Sequence, residues 1–160
     1  MRRLVPTLVV SAAVIAGLAT AGAQGPAGSH VALTPAELKW GNPPPSLKPG
    51  AQFAVVAGNP GEKGLFTIRL RMPAGYRVAP HWHPTDEHVT VLSGVWAVGM
   101  GETFDEKAMK ELPAGGYGAM PAEMRHFALA KTEVVVQVHG LGPFVVNYVN
   151  PADDPQHRPK

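Results

Sequence analysis

Gly75-Tyr-Arg-Val-Ala-Pro-His81-Trp-His83-Pro-Thr-Asp-Glu87-His-Val-Thr-Val-Leu-Ser-Gly94 is the stretch on which the reading of this chain turns. His81 and His83 stand one residue apart in a run of β-forming residues, and side chains two apart on a strand share a face. They can therefore hold one ion together. Pro84-Thr85-Asp86 turns the chain, and Glu87 opens the next run with its carboxylate free to reach the same side. His126, at the start of a later run, supplies a fourth donor. Three imidazoles and a carboxylate make a mixed nitrogen and oxygen site, suited to Mn, Fe, Co, Ni, Cu or Zn rather than Ca or Mg.

Outward from this stretch the hydrophobic period is two. Gln52 to Ala57, Leu65 to Met72, Tyr76 to His83, Glu87 to Leu92, Val95 to Met100, Tyr117 to Met120, His126 to Ala130, Val134 to His139 and Phe144 to Val149 are β-branched or alternating. Turn signals such as Gly58-Asn-Pro-Gly61, Pro73-Ala-Gly75 and Pro113-Ala-Gly-Gly116 close them. Short strands at this spacing predict an all-β sandwich or barrel. A helical interruption is expected around Asp105 to Glu111, with Asp105 as cap and Pro113 as stop.

Composition agrees. Gly (18) and Pro (17) are abundant in 160 residues, which favours many chain reversals over a helical bundle, while 45% hydrophobic residues suffice for a core. Cysteine is absent, which removes disulfides, thiolate metal sites and thiol nucleophiles together.

Met1-Arg2-Arg3, the uncharged apolar run Leu4 to Thr20 and the small residues Ala21-Gly22-Ala23 read as a signal peptide over residues 1–23, with a periplasmic or secreted mature chain from Gln24. A retained anchor is the alternative, since such a run could just span a bilayer. Without Arg2 and Arg3, the fourteen basic residues fall to twelve against twelve acidic ones. No footprint for nucleic acid or anionic membrane remains. Residues 24–50 form a proline-rich arm: Thr34-Pro35-Ala36-Glu37 sets a short helical turn, and Gly41 to Gly50 reads as a polyproline-like segment lying over the domain. Residues 51–150 are the barrel, and 151–160 are expected to be a frayed, flexible tail.

The stretch from Gly75 to Gly94 resembles the first cupin motif, G-x5-HxH-x3-E-x6-G, at every specified position. The second motif, G-x5-PxG-x2-H-x3-N, is met by Gly115, Pro121 and His126, with Glu123 in place of glycine and Ala130 in place of asparagine. The resemblance implies a double-stranded β-helix, the jelly-roll barrel, holding one divalent transition metal on His81, His83, Glu87 and His126. A side chain at 123 must either avoid positive φ or be strained.

His88 alternates away from Glu87, and Trp82 away from its histidine neighbours, towards an outer layer or a partner subunit. Exposed Trp82 and Leu92 suggest a homodimer. Val134-Val-Val-Gln-Val-His139 has two faces, and if the second points inward, Gln137 and His139 line the cavity near the metal. Arg77 shares parity with His81 and His83 and could also look inward. The functional expectation is an exported mononuclear metal-binding cupin with oxidoreductase or isomerase activity on a small molecule. The alternative is a non-catalytic ligand-binding or metal-sensing barrel that acts through a protein partner.

Overall fold

The computed structural model describes residues 30–157. The expected signal peptide, residues 1–23, and its expected cleavage point therefore lie outside the described residues. From Val31 onward the chain forms one compact unit.

Ten strands make two antiparallel five-stranded sheets. In chain order they are β1 (Gln52–Ala57), β2 (Gly64–Met72), β3 (Arg77–Trp82), β4 (Glu87–Ser93), β5 (Val95–Met100), β6 (Lys110–Pro113), β7 (Tyr117–Met120), β8 (His126–Ala130), β9 (Val134–Gly142) and β10 (Asn147–Tyr148). One sheet runs β1-β2-β9-β4-β7 and the other β10-β3-β8-β5-β6. This is the expected jelly roll, its inner faces packed on one core. Phe66, Val89, Val91, Val134, Val136, Val138 and Met120 in the first sheet are almost fully buried, facing Val78, Trp96, Val98 and Ala128 of the second. Burying a side chain of this size stabilises by about 1.5–3 kcal/mol, and here the alternating valines of β9 place three on one face.

Within the barrel, two segments differ from the sequence reading. The expected helix from Asp105 to Glu111 shrinks to a 3-10 turn, Glu106–Ala108, capped by the Asp105 carboxylate accepting from the Lys107 N–H at 2.9 Å. The chain then becomes β6, paired with β5 from Val95↔Pro113 to Val98↔Lys110. β6 is an edge strand of mostly exposed residues, so it carries no alternating apolar signal. The run from Phe144 to Val149 contributes only Asn147 and Tyr148 to a ladder.

The arm begins with the 3-10 turn Pro35–Glu37, where the Glu37 carboxylate accepts from the Thr34 N–H and hydroxyl at 2.7 Å each. Gly41 then pairs with Phe53 of β1. Two tyrosines fasten the rest of the arm: the Tyr76 hydroxyl donates to the Lys48 carbonyl at 2.6 Å, and the Tyr148 hydroxyl to the Ser46 carbonyl at 2.7 Å. At the other end, residues 151–157, placed by the sequence in a frayed tail, form the 3-10 turns Pro151–Asp153 and Pro155–His157. Among the described residues, no helix is long and apolar enough to cross a membrane.

Candidate metal centre

His81 on β3 lies directly across from His126 on β8. Their rings are 4.2 Å apart between centroids, and His83, one residue beyond β3, is 5.0 Å from His81 and 5.3 Å from His126. The three rings offer one nitrogen each, all within 4.8 Å of one another. Glu87, the first residue of β4 in the other sheet, brings its carboxylate Oε2 to 3.1 Å from His126 Nε2 and 3.6 Å from His83 Nε2. All four residues are buried, with relative exposures of 8% or less.

Hydrogen bonding settles which nitrogen faces the centre. Nδ1 of His81 lies 2.8 Å from the Ala79 carbonyl, that of His83 2.8 Å from the Val145 carbonyl, and that of His126 2.9 Å from the Met124 carbonyl. A carbonyl only accepts, so in each ring Nδ1 carries a proton, and in the neutral ring Nε2 keeps the lone pair that faces the centre. The His83 and His126 Nε2 atoms are buried without a hydrogen-bond donor. A ring nitrogen 3.1 Å from a carboxylate oxygen needs a cation between the two lone pairs, either a proton on Nε2 or a metal ion, and buried acceptors left without one are rare. The donor set and its orientation thus fit a divalent transition metal.

Charge follows the same pattern. Burial, then the neighbouring His126 and His83, pushes His81 down to about 3 from its ordinary 6.5, keeping its ring neutral. For Glu87 burial acts to raise the carboxyl, but contacts with His126 and His83 outweigh it and hold the group well below 4.5. The site thus offers three imidazoles, that of His81 held neutral, and one anionic carboxylate.

The turn that delivers His126 departs from glycine at a strained position. Glu123 adopts φ 64°, the left-handed region, and is the one non-glycine residue described with positive φ. Its N–H donates to the His83 carbonyl at 2.8 Å, and the Ala122 N–H donates to the Asp86 carboxylate at 2.8 Å. These two bonds tie the loop before His126 to the turn between His83 and Glu87. Asp86 has no signature in the sequence beyond its place in that turn.

The remaining candidates lie outside. In β9, Val134, Val136 and Val138 are buried while Val135, Gln137 and His139 are half-exposed. Gln137 and His139 are therefore on the outer face, a correction to their expected place in the cavity: Gln137 accepts from Arg69 at 3.1 Å, and His139 stacks on His88 at 5.0 Å. Arg77 is also outside, paired with Glu106 and lying over the Phe104 ring at 5.0 Å. Parity with His81 misplaces it because the β3–β8 register shifts between Val78 and His81, and a bulge of one residue reverses every face beyond it. His88 points outward and bonds the Tyr117 hydroxyl at 2.6 Å. Trp82 is half-buried with Arg125 over its ring at 5.6 Å, while Leu92 is 40% exposed on the other sheet, so the two form no single patch.

Beside the four donors lies a cavity of about 280 Å³. Ile68, Leu70, Met72, Val89, Trp96 and Val138 are among its walls. Phe144, stacked on His83 at 4.2 Å, and the arm residues Pro44, Ser46 and Leu47 also line it. Neither the arm's part in the cavity nor that of Phe144 carried a signal in the sequence.

No curated protein matches this chain. Among solved structures it is similar to the polyketide cyclase RemF from Streptomyces resistomycificus, at 16% identity over 80% of this chain and 91% of that one, with a TM-score of 0.64. A protein from Methylibium petroleiphilum PM1, provisionally assigned as an acetylacetone dioxygenase, gives 20% identity, 79% and 85% coverage and a TM-score of 0.59. An RmlC-like cupin from Shewanella frigidimarina NCIMB 400 gives 16%, 71% and 91%, and 0.57. At these identities the likeness speaks for the fold. The family model described as the ChrR Cupin-like domain matches residues 28–145, and with the double sheet and the histidine cluster beneath that match, the chain belongs to the ChrR cupin-like family of the cupin superfamily.

Proposed function

We propose that this is an exported, mononuclear metal-dependent cupin that carries out oxidoreductase or isomerase-type chemistry on a small molecule. The observation that supports it is the convergence of three Nε2 lone pairs and the Glu87 carboxylate beside a cavity large enough for an organic ligand. A divalent transition metal on four protein donors keeps one or two coordination positions for an outside ligand and supplies Lewis acidity or one-electron chemistry there. The chain's own part is to orient the rings through three backbone carbonyls, to offset cationic charge with Glu87, and to keep bulk water out with Phe144 and the arm.

The fold hosts activities as different as those of its structural neighbours and does not choose among them. A second reading, a non-catalytic binding or metal-sensing barrel, is favoured by one feature: apart from the four donors, only Ser46 and the Trp96 indole bring a hydrogen-bonding group to the described cavity lining. No lysine, tyrosine or second carboxylate stands in that lining as a general base. Elemental analysis of protein recovered from its native compartment tests the shared premise, with near one transition metal per chain expected. Absence of a stoichiometric metal would remove the first reading and leave only a metal-free binding barrel from the second. Metal-dependent turnover of a bound small molecule would then separate the first from the second.

A further inference from the structure

Among the described residues, the side chains lining the cavity away from the metal-facing wall are hydrocarbon, thioether or aromatic, with the Ser46 hydroxyl and the Trp96 indole N–H the exceptions. No arginine, lysine, asparagine, glutamine or tyrosine belongs to that lining. A sugar, amino acid or nucleotide placed there would bury several hydroxyl, ammonium or phosphate groups without partners, at a cost of about 1–3 kcal/mol or more for each. The walls thus select against polar ligands over most of their area.

The metal-facing wall has the opposite requirement. Among the described residues Glu87 is the sole carboxylate lining the cavity, and its three companions there are imidazoles, which bring no negative charge to a metal. A divalent cation there would keep a net positive charge in an apolar surrounding, and an uncompensated buried charge is costly. An anionic oxygen at the coordination position offsets it.

Size sets a further limit. A cavity of about 150 Å³ holds benzene, roughly 25 Å³ per non-hydrogen atom. The 280 Å³ here accordingly accommodates about eleven such atoms.

Resting on the reading of the site as a metal centre, we infer that its ligand is a small organic oxyanion: one carboxylate, enolate or phenolate head at the metal and an apolar body among Ile68, Leu70, Val89, Trp96 and Val138, together about eleven non-hydrogen atoms or fewer. This excludes polyols and zwitterions as ligands. The arm residue Leu47 would sit against the body and set its permitted length.

The test uses the mature chain, stripped by chelation and reloaded with zinc, with zinc uptake measured first. Benzoate, benzyl alcohol and glucose are then titrated by calorimetry and by intrinsic tryptophan fluorescence. Benzoate should bind the zinc form at least about tenfold more tightly than the stripped form. Benzyl alcohol should bind both forms alike and weakly, and glucose neither. Val136→Phe, which fills the cavity, and Leu47→Trp, which intrudes from the arm without touching the barrel strands, should weaken benzoate while retaining zinc. Melting curves identify a variant that has lost its fold, and the other then decides. If no zinc is taken up, the metal reading fails and this one with it. If zinc binds but glucose competes with benzoate, or benzoate ignores the zinc or fails to bind, the ligand class is wrong while the metal centre stands.

Discussion

Replacing Glu123 by glycine should stabilise this protein, against the general rule that glycine weakens a fold. Glu123 holds φ 64° in the loop before His126, and that region costs an L-residue about 1–2 kcal/mol. Its side chain is exposed and makes no hydrogen bond or ion pair among the described residues, so nothing is lost with the carboxylate. Glycine removes the penalty but adds about 0.5–1 kcal/mol of unfolded-state entropy. The net gain should be about 0.5–1 kcal/mol, or a few degrees in Tm for a domain of this size. Thermal melts followed by circular dichroism on chelated protein isolate the backbone term from metal binding. Glu123→Ala keeps a Cβ at the same φ and should show no gain; Glu123→Asn should fall between. If Glu123→Gly melts at or below the Glu123→Ala protein, the strain inferred from φ is not stored there.

The same geometry sets expectations for the metal and for pH. His81→Ala, His83→Ala or His126→Ala should each cut bound metal sharply by elemental analysis, whereas His88→Ala and His139→Ala, on the outer face, should leave it near wild type. Chelation should lower Tm, because a metal at a hundred times its Kd adds about 2.7 kcal/mol to the folded state alone. Tyr76 is raised from 10.0 to about 12 by burial, so the folded state keeps a proton that the unfolded chain releases. The stability tied to that proton is intact below pH 10 and is lost as pH rises towards 12, at up to about 1.4 kcal/mol per unit. Tyr76→Phe should therefore be the less stable protein at pH 8, through loss of the bond to Lys48, and should close that gap at pH 11 in urea titrations. Mass spectrometry of exported protein should find a first residue near Gln24; an intact leader would replace cleavage with an anchor.

What the sequence made legible was whatever depended on period and spacing alone. His81, His83 and Glu87 could be grouped because two-residue alternation and a short turn fix their side, and the same alternation marked nearly every strand. Arg77 could not be placed, because the bulge beside Ala79 and Pro80 reverses the faces and leaves no trace in residue type. His139 was ambiguous for a different reason: Val134, Val136 and Val138 compete with Val135 as inward residues, and only pairing with β2 and β4 decides between them. β6 was hidden by its charges and by the real cap at Asp105. The cavity walls from the arm depend on contacts between residues far apart in the chain, such as Tyr148 with Ser46, which no local pattern encodes.

The three carbonyls that hold the imidazoles belong to Ala79, Met124 and Val145, and none of them is a side-chain atom. A point substitution at those positions changes what projects from the chain but leaves the accepting oxygen in place. The aim of the rings is thus inherited with the path of the main chain, whereas the hydrocarbon walls are inherited residue by residue. Descendants of this sequence could exchange wall residues freely, and so change what they admit, without realigning the ions they hold. Engineering can take the same route: libraries confined to Leu47, Leu70, Val89 and Val138 should alter ligand choice while elemental content stays constant across the set.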